Sequence, residues 1–533
     1  MPELRFARVF NDHAILQRGK KIRIWGFAAP SARVTVEFAK KTCECVANDD
    51  GRFDAEFPEM SAGGPYVLSA RCDGEHTDSR DIMIGDVIII CGQSNMELPM
   101  MMVKESYPHE WDGPFDTMIR TFKVTENGVF GHPLADVETG DWRALSDKTI
   151  DDYSAVGYFT AKHLRKKEDV AVGIVNLTLG GVIMEAFMSP AALAGFDEQL
   201  AEAKKFEDDE YRQKVLAENE KNEADWLSNL DANDIGIQDH FEDGDEILAN
   251  GRCIALPDFF SDTELAGFVG SVWIARKFSV PKEYVGKKAV LFFGAITDRD
   301  SCYINGRFIG TTDNCYPPRR YEIPAGLLRD GENTIVFRIE VEKGFGRVTP
   351  GKLYAVVFDK GVRITDGYNE GMTGAGHIEP LGGTWKYMIG TKCEPSKDTV
   401  FVNWKPTALY NGLLAPLTGL SVAAFAYYQG ESNCGMTDEY VKLTHRFVDQ
   451  IRDMWGDIPY ITVQLPEFNA RMEEISYDHG TGWRGIMEAQ ERCCDIPGYH
   501  LVKAYGYGEL NDIHPQRKEP IGEAIAEVID RIR

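Results

Sequence analysis

Four segments of the chain combine a continuous apolar run with an abrupt change to small polar residues. The first reads DVIIICGQSNME from Asp86, and the others are VAVGIVNLTLGG from Val170, SVAAFAYYQGESN from Ser421 and YITVQLPEF from Tyr460. Runs that are apolar on both faces are typical of buried parallel strands. Helical patterns, SAVGYFTAKHLRKK and DEYVKLTHRFVDQIRDMWG, precede the second and fourth runs. Strands that alternate with helices predict an α/β domain with three layers around a parallel sheet.

Two other regions show the two-residue period of half-buried strands. Residues 1–83 contain runs such as IRIWGF and RVTVEF between turn residues, which predict an N-terminal Ig-like β-sandwich. GSVWIARKFSV, KAVLFFGAI and NTIVFRIEV predict a second, jelly-roll-like β-sandwich over 261–375. This sandwich would interrupt the α/β domain, whose two parts are then 84–260 and 376–533. The acidic stretch 199–230 predicts one long charged helix, a solvated lid or spacer.

The charge and cysteine content limit the partners. The chain has 58 Lys+Arg and 84 Asp+Glu, a formal net charge of −26, which argues against nucleic-acid and anionic-membrane partners. No run approaches the roughly 18 to 20 apolar residues of a membrane helix, and MPELRFARVF lacks the features of a secretory signal. Eleven cysteines without zinc spacings favour a reducing, cytoplasmic location and no metal. No sequence signal specifies an oligomeric state.

The turn after the first apolar run contains Ser94. A serine between a strand and the next helix can expose its hydroxyl at the carboxyl edge of a sheet, where open α/β sheets bind ligands. Backbone N–H groups of the turn face the same space. A lone serine at this place is usually only a helix N-cap, so a catalytic role requires a base and oxyanion donors elsewhere.

Three other loops offer these groups. The segment NDIHP places His514 beside Asp512 before the closing helix, where an imidazole can act as general base on a serine. Gly180 and Gly181 end the second strand and Gln429 ends the third, positions from which backbone N–H groups and a carboxamide can donate to an oxyanion. Because all of these loops are expected at one edge of the sheet, they predict one site.

Four motifs, GQSNM, the GG loop, YYQGESN and DIHP, resemble in this order the SGNH-type hydrolases, specifically the sialate O-acetylesterase family. FNDHAILQRGKKIRIWGF, the MSP after the GG loop, WKYMIG and LYNGLLAPL extend the likeness over most of the chain. VWIARKFSVP and YINGRFIG resemble the galactose-binding-like sandwich of some glycosidases. The resemblance implies an SGNH α/β/α domain and an esterase that removes acetyl groups from a sugar or oligosaccharide, without a metal or organic cofactor.

Carried over residue by residue, the resemblance implies that Ser94 is the nucleophile and His514 the base. The oxyanion hole would combine the N–H of Ser94, the N–H of Gly180 or of Gly181, and the side chain of Gln429. The sequence alone does not distinguish the two glycines.

The carboxylate partner of the base departs from the usual family arrangement. The orienting Asp normally lies three residues before the His, where this chain has Asn511, whereas Asp512 lies two before. A spacing of three residues on a tight turn brings two side chains together, whereas a spacing of two in extended backbone would separate them. Asp512 therefore either completes a triad or is structural, and in the second case a Ser-His dyad would use a backbone carbonyl to fix the imidazole tautomer.

Other residues have weaker claims to the site. Glu97 and Glu431 could contact sugar hydroxyls, although acidic residues at loop ends more often stabilise a helix N-terminus. Arg484 could bind an acidic substrate or form an ion pair at a helix start. The alternatives are a xylan or other plant-polysaccharide acetylesterase and a non-catalytic carbohydrate-binding protein. A glycosidase with paired carboxylates would leave the serine, the carboxamide and the imidazole unexplained.

Overall fold

The computed structural model describes residues 3–125, 128–358, 363–364, 372–373, 376–469 and 482–532. The N-terminal strands are β1 (Arg5–Phe6), β2 (Ile15–Gln17), β3 (Ile22–Phe27), β4 (Arg33–Phe38), β5 (Lys41–Val46), β6 (Arg52–Phe57), β7 (Gly63–Cys72) and β8 (Glu75–Gly92). The next strands are β9 (Ile119–Lys123), β10 (Asp141–Ala144) and β11 (Val172–Thr178).

A long β-rich insertion follows these strands. It contains β12 (Arg252–Leu256), β13 (Asp258–Phe259), β14 (Gly270–Val280), β15 (Ala289–Phe293), β16 (Ile296–Thr297), β17 (Arg299–Ile304), β18 (Arg307–Thr312), β19 (Arg320–Ile323), β20 (Gly331–Val341), β21 (Arg347–Val348), β22 (Tyr354–Phe358), β23 (Arg363–Ile364), β24 (Met372–Thr373), β25 (His377–Pro380) and β26 (Gly383–Lys392). The last strands are β27 (Ala424–Tyr428), β28 (Tyr460–Val463) and β29 (Tyr499–Val502).

Helices lie mainly around the strands of the α/β domain. They are α1 (Ser94–Glu97), α2 (Ala155–Lys167), α3 (Asp197–Lys205), α4 (Asp209–Ala232), α5 (Ile235–Gln238), α6 (Asp245–Asn250), α7 (Thr437–Trp455), α8 (Trp483–Arg492) and α9 (Glu519–Ile532). Across the part of the chain that the structure describes, every helix is too short or too polar to cross a lipid bilayer.

The central sheet has the strand order β10-β9-β11-β8-β27-β28-β29. All of its neighbours pair in parallel except β10, which is antiparallel to β9. Gly92 at the end of β8 is in register with Thr178 of β11 and Tyr428 of β27. The loops after these three strands therefore begin side by side at one edge, as the apolar runs predict.

Helices cover both faces of this sheet. Gly157 of α2 lies so close to β8 that a Cβ on it would be 3.0 Å from the side chain of Ile90. On β27, Phe425 is in register with Ile89 and packs on Phe447 of α7, with ring centroids 6.0 Å apart. Because consecutive residues of a strand point to opposite faces, α2 and α7 lie on opposite sides of the sheet.

Strand β8 belongs to two layers at once. Its first half pairs antiparallel with β7 of the N-terminal sandwich, and its second half pairs with β11 and β27. The domain boundary predicted between residues 83 and 84 thus falls inside a continuous strand of 18 residues. At Gly85 a Cβ would lie 2.1 Å from the carbonyl oxygen of Ala171, so only glycine fits where β8 passes the residue before β11.

The inserted sandwich is longer than the predicted 261–375. Strand β12 pairs with β26, so the paired strands extend from residue 252 to residue 392. A six-stranded sheet, β12-β26-β14-β20-β17-β18, lies opposite a four-stranded sheet, β19-β15-β22-β25. Phe337 of the first sheet stacks on Phe293 of the second with ring centroids 4.1 Å apart, which marks the core between them.

The acidic stretch 199–230 forms parts of two helices and not one. Asp208 caps the second helix, α4, by accepting hydrogen bonds from the N–H groups of Glu210 and Tyr211 at 2.9 and 3.2 Å. An N-cap residue leaves the helical conformation, which explains the break after α3. Val215 of α4 is buried in an apolar cluster with Phe206, so the helix is packed on the domain.

Candidate active site

Ser94 and His514 are 420 positions apart in the sequence and adjacent in space. Ser94 opens α1 directly after β8, and His514 precedes α9. The Nε2 atom of His514 lies 2.7 Å from the Oγ atom of Ser94. At this distance an unprotonated Nε2 can accept the hydroxyl proton, the geometry required of a general base.

The turn that presents the serine is held by the end of β27. Gly92 has φ +129°, and a Cβ on it would lie 2.2 Å from the carbonyl oxygen of Tyr428. Gln93 donates its backbone N–H to that same oxygen at 3.0 Å. The side-chain oxygen of Gln93 accepts from the N–H groups of Gly430 and Ser432, both at 3.3 Å. The nucleophile turn and the QGES turn are therefore one hydrogen-bonded unit.

The imidazole is held in its neutral form. Burial lowers the pKa of His514 to about 4; Asp512 opposes this effect, and the cations Lys518 and Lys352 add to it. A neutral imidazole is the form that can accept a proton, so His514 is a competent base at neutral pH. Tyr316 packs edge-on against the ring with centroids 4.9 Å apart.

Asp512 is bound to the backbone of His514 and not to its ring. Its Oδ1 accepts the His514 N–H at 2.8 Å, and its Oδ2 pairs with Nζ of Lys352 at 2.7 Å. Lys352 also contacts Glu509 at 3.1 Å. Among the described residues, the one hydrogen bond of the imidazole is its contact with Ser94. The spacing of two residues thus has the expected consequence that Asp512 does not act as a ring-bound third member of a triad in this conformation.

The inserted sandwich contributes directly to this loop. Lys352 lies between β21 and β22, and Tyr316 lies between β18 and β19. Nearby, Asn511 donates its side-chain N–H to the carbonyl oxygen of Pro350 at 2.9 Å. Sequence reasoning missed Lys352 and Tyr316 because both lie in loops of a region that reads as a separate module.

The structure distinguishes the two glycines of the GG loop. A Cβ on Gly180 would lie 3.7 Å from Cβ of Ser94 and 3.3 Å from Oε2 of Glu97. Gly181 has φ +73°, and its Cβ would lie 2.1 Å from Cζ2 of Trp404. Gly180 is therefore the residue beside the nucleophile, whereas Gly181 allows the loop to turn against an indole ring.

Gln429 contacts both the GG loop and the QGES turn. Its side chain is fully buried, and Nε2 donates to Oδ1 of Asn433 at 2.6 Å and to the carbonyl oxygen of Val182 at 3.2 Å. Over the ranges that the structure describes, it makes no hydrogen bond to Ser94 and its Oε1 has no partner. In this conformation Gln429 fixes the GG loop to the QGES turn, and its amide donates within the protein and not to Ser94.

A network beneath the serine was not identified from the sequence. Asn95 is fully buried; its Nδ2 donates to Glu431 at 2.6 Å and to the carbonyl oxygen of Ile513 at 2.9 Å, and its Oδ1 accepts from Lys518 at 2.5 Å. Burial lowers the pKa of Lys518 to about 8 and raises that of Glu431 to about 7. Asn95 thus joins the nucleophile turn to the residue before His514. A lysine at a helix N-terminus opposes the helix dipole, and this was the available signal for Lys518.

The structure shows different surroundings for Glu97 and Arg484, two of the weaker candidates. Glu97 lies at the rim beside Gly180, with Oε1 at 3.5 Å from Nζ of Lys123. Arg484 pairs with Glu488 one turn along α8 at 2.9 Å, the ion pair considered for it from the sequence.

A serine hydroxyl bonded to an imidazole at the carboxyl edge of a parallel sheet is the arrangement that serine hydrolases use. Comparison with known proteins shows which enzymes this chain resembles. The chain is 26% identical over 207 residues to the sialate O-acetylesterase of Rattus norvegicus, covering 36% of this chain and 38% of the relative. It is also 26% identical over 208 residues to the sialate O-acetylesterase of Homo sapiens, covering 36% and 39%. The resemblance predicted from the motifs is confirmed, over less than two fifths of the length of these relatives.

Two further comparisons concern the fold and the insertion. Residues 205–345 match the family described as "Glycosyl hydrolases family 2, sugar binding domain". A crystal structure of a carbohydrate acetylesterase from Xanthomonas citri shares the fold, with a TM-score of 0.56 over 98% of this chain and 74% of that chain at 20% identity.

Proposed function

We propose that this protein is a carbohydrate O-acetylesterase of the SGNH type that uses Ser94 as its nucleophile. The observation that carries the proposal is the 2.7 Å contact between Ser94 Oγ and His514 Nε2. It lies where β8, β11 and β27 end, the edge at which such sheets bind ligands. The sialate O-acetylesterase relatives support the acetyl ester, and the match to a sugar-binding family in the insertion supports a carbohydrate alcohol.

The reaction proceeds in two halves. In the first, Ser94 Oγ forms a bond to the acetyl carbonyl carbon while His514 Nε2 takes the hydroxyl proton. The resulting oxyanion lies among the N–H groups of Ser94 and Gly180, which stabilise its charge. When the intermediate collapses, the bond to the sugar oxygen breaks and the imidazolium protonates that oxygen.

The second half removes the acetyl group from the enzyme. Water attacks the acetyl carbonyl carbon while His514 takes a proton from the water, and the bond to Ser94 Oγ then breaks as the imidazolium returns the proton to that oxygen. Acetate and the deacetylated sugar are the products. The low pKa of the buried imidazole keeps the base available before each half.

In this proposal Asp512 acts without a hydrogen bond to the ring. It holds the backbone of His514, and its charge favours the imidazolium that forms during each half. Lys352 fixes the carboxylate from the inserted sandwich. The catalytic pair is therefore a Ser-His dyad supported electrostatically by Asp512.

The test is acetate release from a panel of O-acetylated sialic acids and acetylated xylo-oligosaccharides, with the Ser94→Ala protein in parallel. We expect release that depends on Ser94, from sialate esters or from the plant-type esters of the alternative assignment. Sugar binding without Ser94-dependent acetate release from any ester would instead support the carbohydrate-binding protein.

A further inference from the structure

A cavity adjoins the GG loop on the side where Trp404 packs against Gly181. It has a volume of about 480 Å³, within the range of roughly 300 to 1,000 Å³ typical of small-molecule sites. Phe401 and Trp404 line one part of it, and Glu198, Gln199 and Glu202 line another. No step of the proposed reaction uses these side chains.

The aromatic wall is a stacked pair. The rings of Phe401 and Trp404 are nearly parallel, with an interplanar angle of 19° and centroids 3.9 Å apart. Phe401 is 49% exposed, so this ring presents apolar surface to solvent. The axial C–H groups of a pyranose make a flat apolar face, and an exposed aromatic ring on a fixed support is complementary to such a face.

The polar wall offers acceptors for hydroxyl groups. Glu202 pairs with Lys205 and with Lys405, both at 2.8 Å, and these hydrogen bonds lower the pKa of its carboxyl. Gln199 is oriented by a hydrogen bond from its Nε2 to Glu439 at 2.5 Å, which leaves its carbonyl oxygen as an acceptor. An ionised carboxylate and an amide oxygen beside an aromatic face are suited to a ligand with several hydroxyl groups.

The cavity is linked to the active site by the GG loop, on which Trp404 packs. The indole ring occupies the space where a side chain on Gly181 would lie, and Gly180, the next residue along the loop, is beside Ser94. Ile183 of the same loop also lines the cavity. The cavity and the surroundings of Ser94 are therefore connected by one short segment of backbone, residues 180–183.

The charges favour a neutral ligand over an anionic one. Two carboxylates, Glu198 and Glu202, and one cation, Lys405, line the cavity. We propose that this cavity is a subsite for a neutral pyranose unit of an O-acetylated oligosaccharide whose ester lies at Ser94. The inference rests on the proposed esterase and refines its substrate to a chain of neutral sugars.

The first experiment compares two esters. For wild type, Phe401→Ala and the matched control Phe345→Ala, whose ring is 78% exposed on the inserted sandwich, kcat/KM is measured with acetylated xylo-oligosaccharides and with p-nitrophenyl acetate. We expect Phe401→Ala to lower the ratio of kcat/KM for the xylo-oligosaccharide to kcat/KM for p-nitrophenyl acetate roughly five- to tenfold. This is the effect of losing one aromatic stacking contact. Phe401→Tyr keeps a ring and should restore the ratio. A ratio equal to that of wild type in Phe401→Ala would overturn the subsite.

The second experiment does not depend on catalysis. Ser94→Ala and Ser94→Ala/Phe401→Ala are titrated calorimetrically with xylohexaose and with sialyllactose. We expect xylohexaose to bind the single variant and to bind the double variant at least fivefold more weakly, and sialyllactose to bind less tightly than xylohexaose. Equal xylohexaose affinities, or Phe401-dependent binding stronger for sialyllactose, would contradict the proposal. If the esterase assignment is wrong, the wild-type protein will not hydrolyse p-nitrophenyl acetate, whereas this titration will still report on the cavity.

Discussion

Glu431→Gln tests whether ionisation of the Glu431 carboxyl, in the network beneath Ser94, lowers the stability of the folded protein. Glu431 is a carboxyl whose burial raises its pKa from 4.5 to about 7. The folded state therefore keeps a proton that the unfolded state releases between these two values, and stability falls as the pH rises through this window. Glutamine never ionises and retains an oxygen that can accept the hydrogen bond from Asn95.

The size of the effect follows from the two pKa values. At about 1.36 kcal/mol for each pH unit, the difference between 4.5 and about 7 corresponds to about 3 kcal/mol when the carboxyl is ionised in both states. At pH 8 we expect Glu431→Gln to be more stable than wild type by up to about 3 kcal/mol, and at pH 5 by less than about 1 kcal/mol. Lys518, whose pKa is about 8, can lose its proton at pH 8, so the loss of its partner does not leave a fully charged group.

The assay is urea unfolding of wild type and variant at pH 5 and at pH 8, followed by tryptophan fluorescence. The control is Glu527→Gln, at an exposed position of α9, where a substitution should change the free energy of unfolding by no more than about 0.5 kcal/mol. If Glu431→Gln is no more stabilising at pH 8 than at pH 5, burial does not raise the pKa of Glu431 and the reasoning is refuted.

Four further predictions concern the reaction itself. Because the neutral base is the active form, kcat/KM for p-nitrophenyl acetate should rise with pH through a midpoint near 4, the lowered pKa of His514; a midpoint near 6.5 would contradict the buried, uncharged imidazole. Asp512→Asn should lower kcat less than about tenfold, since the carboxylate binds backbone, whereas a loss of about 10⁴-fold would indicate a ring-bound triad. Gly181→Ala should lower turnover at least tenfold because its Cβ meets an indole ring at 2.1 Å, while Gly195→Ala, with φ +92° and open space, shares only the backbone strain and should keep its activity. Gln429→Ala should remain folded by circular dichroism and lower kcat by up to about 10²-fold, because its amide positions the GG loop and does not itself bind the oxyanion; near-wild-type turnover would remove this residue from the site.

Much of the scaffold was accessible from the sequence because buried parallel strands leave a strong local pattern. The runs at Asp86, Val170 and Ser421 became β8, β11 and β27, and the loops after them lie together. The contact of Ser94 with His514 was predicted across 420 positions because both motifs belong to one sheet edge. Their catalytic roles stay part of the proposal.

The parts that could not be predicted depend on contacts between regions. Whether Gly180 or Gly181 lies beside the nucleophile is decided by Trp404, which has no local signal that relates it to the GG loop. Lys352 approaches Asp512 from a loop 160 positions away in the chain. Nothing in the sequence indicated that β8 continues without a turn across residues 83 and 84, where the limit between the first two domains is predicted.

Because β8 is continuous, the N-terminal sandwich and the proposed reaction centre share one strand. A chain cut at residue 84 would keep every proposed catalytic group and the half of β8 that pairs with β11 and β27, yet it would lose the half that pairs with β7. The strand that leads to the serine would then start at a free chain end. Fraying from that end would run along the same backbone that carries Ser94. The sandwich is therefore better regarded as the anchor of the nucleophile than as an appendage.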